Sequence, residues 1–432
     1  MDLLALLVPL GAAGGGSSGF SGGGGGGGGG FSGGGGFGGG GSTGTGGGFF
    51  FLIIIAVVVV FLLLGVFQTV RYRRRRQHRE AQVRLAAAEA AEDDPLFGPD
   101  VVVPAAADLF TAVQTAWDAR DRATLASLCG ADLIVEWERR LDDFERRGWY
   151  NRVKLTQPCK VEYLGLVNRE GTDEDRVVVR VTAAMEDWVE TKGGATMFHE
   201  GKSSASTTLE EYWTLAQRDG RWYLLSIEQD AEGRHNLDSE LVASPWSDAR
   251  IADTARVELA AGEAAPADVK TAEIADLDFD GDARAAALDL SLADGRFAPD
   301  VLEIAARRAV AAWAEAVDGP DINLKAIATP EAVEALLHPG DSGASTRLVV
   351  RGPQVRQIRI TALDAAQDPP TMSVELTVRG ARYIENRDTV AVVSGSRDRE
   401  VTFTEHWTFA LDATQPDQPW HIVDTTATQI TA

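Results

Sequence analysis

The chain has few cysteines and fewer basic than acidic residues. Only Cys129 and Cys159 occur in 432 residues, which excludes a disulfide scaffold and a zinc site built from several cysteines. Forty-one lysines and arginines stand against 64 aspartates and glutamates, and the formal net charge is −23. Because binding to nucleic-acid phosphates needs clustered lysine and arginine, this balance argues against a nucleic-acid partner.

Charge and glycine are unevenly distributed along the chain. Residues 1–70 hold 27 of the 46 glycines and a single charge, residues 71–84 carry +6, and residues 85–432 carry −28. The averages therefore combine three chemically distinct zones. The acidic zone is long enough for about two domains with hydrophobic cores of their own.

One long run, Phe49 to Phe67, contains no polar side chain. A helix of that length spans roughly 28 Å, close to the thickness of the hydrocarbon core of a bilayer. We therefore predict a transmembrane helix at 49–69. Residues 1–48 are predicted to be an apolar start, either a signal peptide or an interfacial segment, followed by a disordered glycine-rich tail.

An arginine cluster follows the apolar run at once. Because basic residues accumulate on the cytoplasmic side of membrane helices, the cluster predicts a single-pass protein of the inner (cytoplasmic) membrane with its N-terminus outside and its C-terminal domains in the cytoplasm. The same side chains are candidates for binding anionic lipid headgroups. They are Arg71, Arg73, Arg74, Arg75, Arg76 and Arg79.

Two stretches of the acidic zone repeat one series of features. The sequence TLEEYWTL at 208–215 corresponds to TFTEHWTF at 402–409. Trp222 is matched downstream by Trp420, and Trp117 upstream by Trp313. The spacing between partners stays within 194–198 residues along the series, which indicates a duplication.

Each half begins with helical patterns and continues with hairpin strands. Apolar and polar residues alternate at 374–379, as in an antiparallel strand with one wet face. Asp219-Gly220 is a hairpin-turn signal, and Thr329-Pro330 is a helix start. This order predicts an α+β fold, in which one transmembrane helix precedes two tandem cone-shaped domains. The predicted segments after the membrane helix are a stalk helix at 70–95, a first domain at 96–235, an acidic linker at 236–280 and a second domain at 281–432.

The arrangement resembles bacterial membrane proteins that carry a translocase-of-the-inner-membrane subunit-forty-four-like domain. The residues that carry the resemblance are Leu109-Phe110, Trp117, Trp137, Glu211-Tyr212-Trp213-Thr214 and Gly220-Arg221-Trp222. The resemblance is best over 105–230. In the diverged second copy, over 298–430, His406 replaces Tyr212 and a longer loop replaces the hairpin turn.

This resemblance implies a fold similar to that of nuclear transport factor two. In that fold, helices pack on a strongly curved antiparallel sheet and leave a cone-shaped pocket. The mitochondrial member of the family tethers a chaperone motor to the import channel at the inner membrane. The resemblance thus implies fold and topology more directly than it implies a function.

Four residues are candidates for lining such pockets: Glu211, Trp213, Glu405 and Trp407. Alternate residues of a strand share a face, so each glutamate lies on the same face as the tryptophan two positions later. A carboxylate beside tryptophan in an apolar cone can bind a cationic ligand or act as a base with a raised pKa. The alternative, which we prefer, is a structural glutamate paired to an arginine or lying at the sheet rim.

The sequence shows no recognisable set of catalytic residues. Its six histidines have no spacing that suggests a relay with a carboxylate, and we expect neither an enzyme nor a cofactor. Asp276, Asp278 and Asp280 resemble the start of a calcium loop, but Ala287 stands where the bidentate glutamate is required. We prefer a solvated acidic linker or a strand end there and predict no metal site.

These inferences predict a non-catalytic binding protein. One or both domains would hold a protein or peptide partner at the cytoplasmic face of the membrane, with a role in protein translocation or membrane-protein assembly. The expected partners are the lipid bilayer and that protein or peptide. The alternatives are a small apolar ligand in the cone pocket and, third, an enzyme on the same fold.

Overall fold

A computed structural model describes residue 13 and residues 46–169, 171–172, 174–200, 202–247, 276–412, 414 and 419–431. In this part of the chain, two units of helices and antiparallel strands follow one another. The rest of the glycine-rich tail and the middle of the acidic linker lie outside the described residues.

The first unit packs helices on a curled antiparallel sheet. Its helices are α1 (Gly46–Asp93), α2 (Pro99–Ala119), α3 (Arg122–Leu128) and α4 (Ala131–Arg147). Its strands are β1 (Trp149–Leu155), β2 (Lys160–Val167), β3 (Arg176–Thr191), β4 (Thr196–Met197), β5 (Ser206–Arg218) and β6 (Arg221–Gln229). The long strand β3 pairs with β1, β2 and β4, and its partner β5 pairs with β6.

The second unit repeats this arrangement. Its helices are α5 (Gly281–Ser291), α6 (Pro299–Asp318), α7 (Ile322–Ile327) and α8 (Pro330–Leu337). Its strands are β7 (Asp276–Phe279), β8 (Thr346–Asp364), β9 (Thr371–Asn386), β10 (Val392–Leu411) and β11 (Trp420–Thr431). The strand order is β11-β10-β9-β8-β7, and only β7 runs parallel to its neighbour. The predicted α+β fold with two sheet-containing halves is confirmed.

Short-range signals in the sequence fix several element ends. Thr329 caps α8 by accepting a hydrogen bond from the Ala332 N–H at 3.3 Å, as its position before a proline predicted. Asp219 and Gly220 both have positive φ and form the tight turn between β5 and β6. Gly148 ends α4 in the left-handed conformation, which glycine adopts without steric cost.

The duplication is visible in individual contacts. The Trp222 indole N–H donates to the Leu96 carbonyl at 3.1 Å, and the Trp420 indole N–H donates to the Arg296 carbonyl at 3.1 Å. Each indole lies edge-on to a phenylalanine, Phe97 or Phe297, at 5.5 Å and 5.7 Å. The same contacts therefore hold the turn before α2 in the first half and the turn before α6 in the second.

Helix α1 does not end with the apolar run. It continues from Gly46 to Asp93, and Val83, Ala87 and Ala90 in its second half are fully buried against the first unit. The predicted stalk at 70–95 is thus helical but is packed on the domain. Among the described residues, no helix is long and apolar enough to cross a membrane. Most side chains of the predicted span lie outside those residues, so this span stays a prediction.

Candidate functional site

The two candidate residues of the first domain lie in its core. The Trp213 indole N–H donates to Glu211 Oε2 at 2.9 Å, and the Gln229 side-chain amide donates to Glu211 Oε1 at 3.2 Å. The Trp213 ring packs on Phe110 at 5.1 Å between centroids and is fully buried. Burial raises the pKa of Glu211 to about 7, although both hydrogen bonds favour the charged form.

The equivalent residues of the second domain are also buried, but they pair differently. Trp407 packs edge-on against Trp313 at 5.6 Å, and its indole N–H has no hydrogen-bond acceptor among the described residues. Glu405 is 4% exposed, and its charge partly offsets the burial that lowers the pKa of the half-buried Arg382. The structure places the four candidates in two separate cores, where aromatic rings fill the space of the cones.

A polar cavity lies where the two domains meet. Its volume is about 110 Å³, and Glu211 is the one predicted candidate that reaches its wall. Buried and half-buried charged side chains of both domains line it, and no motif or spacing predicted that they converge. These charged residues are Asp132, Glu136, Arg140, Glu211, Glu232, Asp318, Arg347, Arg351, Glu385 and Arg397.

Ion pairs cross the domain boundary around this cavity. Arg387 of the second domain donates from Nε to Glu136 Oε1 at 2.8 Å, and Tyr383 donates from its hydroxyl to Glu232 Oε1 at 3.2 Å. Arg139 Nε lies 2.9 Å from Asp388 Oδ1. Taking charges out of water is costly unless they are paired, so these contacts fix one relative orientation of the domains.

One cluster at this boundary has the residue types of a metal site. Glu228, His235 and Asp318 bring one ligand atom each within 4.8 Å of the others. Arg351 Nη1 lies 3.0 Å from Asp318 Oδ1, and His235 Nε2 lies 2.6 Å from Glu228 Oε1. The cluster thus contains two cations of its own, and the contacts fit an ion-pair network better than a metal centre.

The protonation states support this interpretation. Burial alone would lower the pKa of His235, but the charge of Glu228 and the hydrogen bond to it outweigh burial and raise the pKa to about 9. Burial and the charge of Glu228 raise the pKa of Asp318 to about 6. At neutral pH a charged imidazolium therefore stands beside two carboxylates.

The predicted calcium-loop residues lie on a strand and a helix start. Asp276 and Asp278 belong to β7, which pairs with Gln357 and Arg359 of β8, and Asp280 precedes α5. The cation-binding interpretation needed a loop, and the backbone here is extended. The last residues of the predicted linker thus form the edge strand of the second sheet.

A histidine and a carboxylate do meet inside the first domain. His199 Nε2 lies 3.0 Å from Asp187 Oδ2, and the Asn151 side-chain amide donates to Asp187 Oδ1 at 2.7 Å. The Trp117 indole N–H donates to Asn151 at 2.8 Å, so four side chains form a buried chain of hydrogen bonds. Sequence spacing missed this pair because a hairpin connection brings the two residues together. Neither residue lines the interdomain cavity.

The predicted lipid-binding arginines divide into two sets. Arg79 is buried and donates to the Leu164 carbonyl at 2.8 Å and the Ser239 carbonyl at 2.7 Å. Arg76 pairs with Glu162, and Arg75 pairs with Asp238 at 2.7 Å. Arg71, Arg73 and Arg74 are exposed. Lipid binding stays a prediction. Arg71, Arg73 and Arg74 are the arginines whose exposed side chains can reach lipid headgroups.

Two solved structures resemble this chain remotely. The intermembrane-space region of the chloroplast protein ARC6 covers 29% of this chain and 95% of its own, with 11% identity and a TM-score of 0.24. An Ntf2-like protein involved in plasmid conjugation covers 71% of this chain and 87% of its own, with 8% identity and a TM-score of 0.17. No curated protein matches the chain.

A family model matches both halves of the chain. The Tim44-like domain matches residues 83–229 and again residues 284–427, which together are about two thirds of the sequence. The first match begins inside the predicted stalk, in agreement with the buried second half of α1. The matched segments also coincide with the two helix-and-sheet units. The chain therefore belongs to the Tim44-like domain family and carries the domain twice.

Proposed function

We propose that this chain is a non-catalytic tether that holds a protein or peptide partner at the cytoplasmic face of the membrane. The observation that carries the proposal is the continuity of α1, from Gly46 to Asp93. At 1.5 Å per residue this helix is about 72 Å long, more than twice the hydrocarbon thickness of a bilayer. Whatever fixes the first half of α1 thereby fixes the first domain, with no flexible joint between them.

The described side chains of the apolar run support a membrane position. Leu63, Val66 and Phe67 are each more than 60% exposed, and no described residue covers them. A contiguous exposed apolar surface marks contact with lipid or with another protein. In the proposed topology this surface contacts lipid, and exposed Arg71, Arg73 and Arg74 lie at the headgroups.

Partner binding is assigned to the outside of the domains. Aromatic side chains fill both cores, and the interdomain cavity of about 110 Å³ is well below the roughly 300–1,000 Å³ of usual ligand sites. This favours a protein or peptide on the surface over a small apolar ligand. A role in protein translocation or membrane-protein assembly would follow from raising the concentration of that partner beside other membrane proteins.

One contact opposes the proposed topology. Ala13 is buried, and its N–H donates to Gln114 Oε1 at 3.1 Å. If α1 crosses the membrane between them, residue 13 lies outside the cell and Gln114 lies in the cytoplasm. The contact and the span therefore exclude each other, and one experiment can decide between them.

The test combines a reporter with a disulfide. The reporter, of a kind that functions only in the cytoplasm, is fused after residue 432, and the proposed topology predicts that it is active. In the second measurement, the A13C and Q114C side chains should form no cross-link in native membranes. Cys129 and Cys159 are replaced by serine in this experiment. An efficient A13C–Q114C cross-link, or a reporter that is active only outside the cell, would overturn the topology.

A further inference from the structure

A short 3₁₀ helix, Glu232–Leu237, follows the last strand of the first sheet, and we call it the boundary helix. It contacts α1, β2 and β6 of the first domain and β8 of the second domain. Because a 3₁₀ helix has three residues per turn, residues three positions apart lie on the same side of it. The six residues therefore form three sides of two residues each.

The first side, formed by Glu232 and His235, contacts the second domain. The Tyr383 hydroxyl donates to Glu232 Oε1 at 3.2 Å, and Arg397 Nη1 lies 3.6 Å from the same oxygen. His235 packs on Gly352 of β8, where an added Cβ atom would lie 2.5 Å from the His235 Cβ. The close approach therefore requires glycine, and the boundary helix lies directly on the second domain.

The second side, formed by Gly233 and Asn236, contacts the first sheet. A Cβ atom added to Gly233 would lie 2.4 Å from Cγ of the Tyr212 ring, so the backbone of the boundary helix rests on that ring. The Asn236 side-chain amide donates to Glu228 Oε2 at 2.7 Å. The other carboxylate oxygen of Glu228 lies 2.6 Å from His235 Nε2, so one glutamate of β6 holds two sides of the boundary helix.

The third side, formed by Arg234 and Leu237, contacts α1. The Arg234 guanidinium lies 4.8 Å from the centre of the Tyr72 ring, and Leu237 belongs to the apolar cluster on which the same ring packs. The Tyr72 hydroxyl also lies 2.8 Å from the Tyr212 hydroxyl, at the ring beneath Gly233. A displacement of Tyr72 therefore disturbs two sides of the boundary helix at once.

We propose that the boundary helix couples the docking of α1 to the packing of the second domain, so that loosening either contact loosens the other. At about 2 Å of rise per residue the boundary helix is only roughly 12 Å long. An element this short, held by packed side chains on three sides, shifts as one body when one side is released. Because the coupling is a free energy shared by the two contacts, it acts equally in both directions.

The coupling goes beyond the proposed function and does not depend on it. In the proposed tether it has one consequence, which does rest on that function. The membrane-held α1 would set the orientation of the second domain, and with it the position of a bound partner relative to the bilayer.

The test measures amide hydrogen exchange of the full chain in detergent. Tyr72→Ala removes the ring that contacts the third side, and exchange at 347–351 and 383–387 of the second domain should accelerate about fivefold, the lower end of typical coupling. Tyr383→Phe removes the hydroxyl that bonds Glu232, and exchange within 70–82 of α1 should accelerate by a similar factor. In the double variant the two effects should not add, because Tyr72 and Tyr383 contact different sides of one element.

Tyr150→Ala is the matched control. It removes a tyrosine ring that lies 4.2 Å from the Arg120 guanidinium, on β1 at the opposite end of the sheet from β6. It should leave exchange at 347–351 and 383–387 unchanged. Residues 302–313 of α6 should keep their native exchange in every variant, which distinguishes local loosening from global unfolding.

Two results would refute the coupling. The first is unchanged exchange at the far contact in either single variant, and the second is strict additivity in the double variant. Equal acceleration by Tyr150→Ala would refute it as well, because the effect would then be a general loss of stability. The assay needs no membrane span, so failure of the membrane topology would leave its result intact.

Discussion

Trp213 and Trp407 occupy equivalent positions in the two domains, but within the described residues only Trp213 has an acceptor for its indole N–H. Glu211 Oε2 accepts from Trp213 at 2.9 Å, whereas the Trp407 N–H is buried without a partner among the described residues. The glutamate two positions earlier is present in both domains. Duplication therefore kept the residue pair and changed its hydrogen bonding.

This difference predicts unequal costs for the same substitution. Trp213→Phe leaves buried Glu211 without one of its donors, whereas Trp407→Phe removes an unsatisfied donor. Both substitutions delete the same atoms, so the free energy of unfolding should fall further for Trp213→Phe, by about 2 kcal/mol. Urea denaturation at pH 8, followed by fluorescence, measures both values. Equal losses would show that the Glu211 bond contributes nothing.

Glu136 is predicted to join the two domains. It is 7% exposed, and Arg387 Nη2 approaches its Oε1 to 2.6 Å. Glu136→Gln removes the charge that neutralises a buried guanidinium, and breaking such a pair costs about 3–5 kcal/mol. Hydrogen exchange should accelerate at the domain boundary, at 347–351 and 383–387. Glu138→Gln, one position beyond Trp137 and exposed, is the control and should change neither exchange nor stability.

The His235 cluster predicts a loss of stability in mild alkali. The folded-state pKa of about 9 lies above the ordinary value of 6.5, so the stabilisation is complete below pH 6.5 and is lost as the pH rises through 9. Between pH 7 and 9 the free energy of unfolding should fall by up to about 1.4 kcal/mol per pH unit. His235→Asn should flatten this slope, and His406→Asn, at an exposed site, should leave it unchanged. Parallel slopes for native and His235→Asn proteins would contradict the assignment.

Arg79 is predicted to hold α1 on the first domain. Arg79→Ala leaves the Leu164 and Ser239 carbonyls without their donor, which costs about 1–3 kcal/mol. Proteolysis and hydrogen exchange within 70–82 should become faster. Arg73→Ala, on the exposed side of the same helix, should leave both unchanged and weaken binding to anionic vesicles instead. Identical effects of the two substitutions would show that α1 is not docked through Arg79.

Much of the fold follows from local signals in the sequence. The spacing of 194–198 residues predicted the duplication, the alternation of apolar and polar residues predicted strands, and Asp219-Gly220 predicted a turn. Each of these is decided by residues close together in sequence or by a repeated pattern. The family match confirms the resemblance over both halves.

The polar contacts could not be predicted in the same way. Arg387 and Glu136 are 251 residues apart, and their contact depends on how two complete domains pack. His199 and Asp187 lie on either side of a turn at Gly193-Gly194, and a turn signal alone does not show which residues of the two arms come into contact. We predicted that Arg76 and Arg79 bind lipid headgroups, because a basic cluster after an apolar run is the usual positive-inside pattern. In the structure, the helical period turns these two toward Glu162 and Leu164 instead.

The most direct test of tethering is to measure whether the partner is found in the membrane fraction or in the soluble fraction. The full chain is compared with a Leu63→Lys, Leu64→Lys variant, in which two charges within the apolar run oppose insertion by about 2.5–3.5 kcal/mol each. After cross-linking in native cells, proteins that co-purify with each form are quantified in the membrane and soluble fractions. The account predicts a partner that moves from the membrane to the soluble fraction together with the variant. A partner that stays in the membrane fraction with both forms, or no protein above background with either, would contradict it.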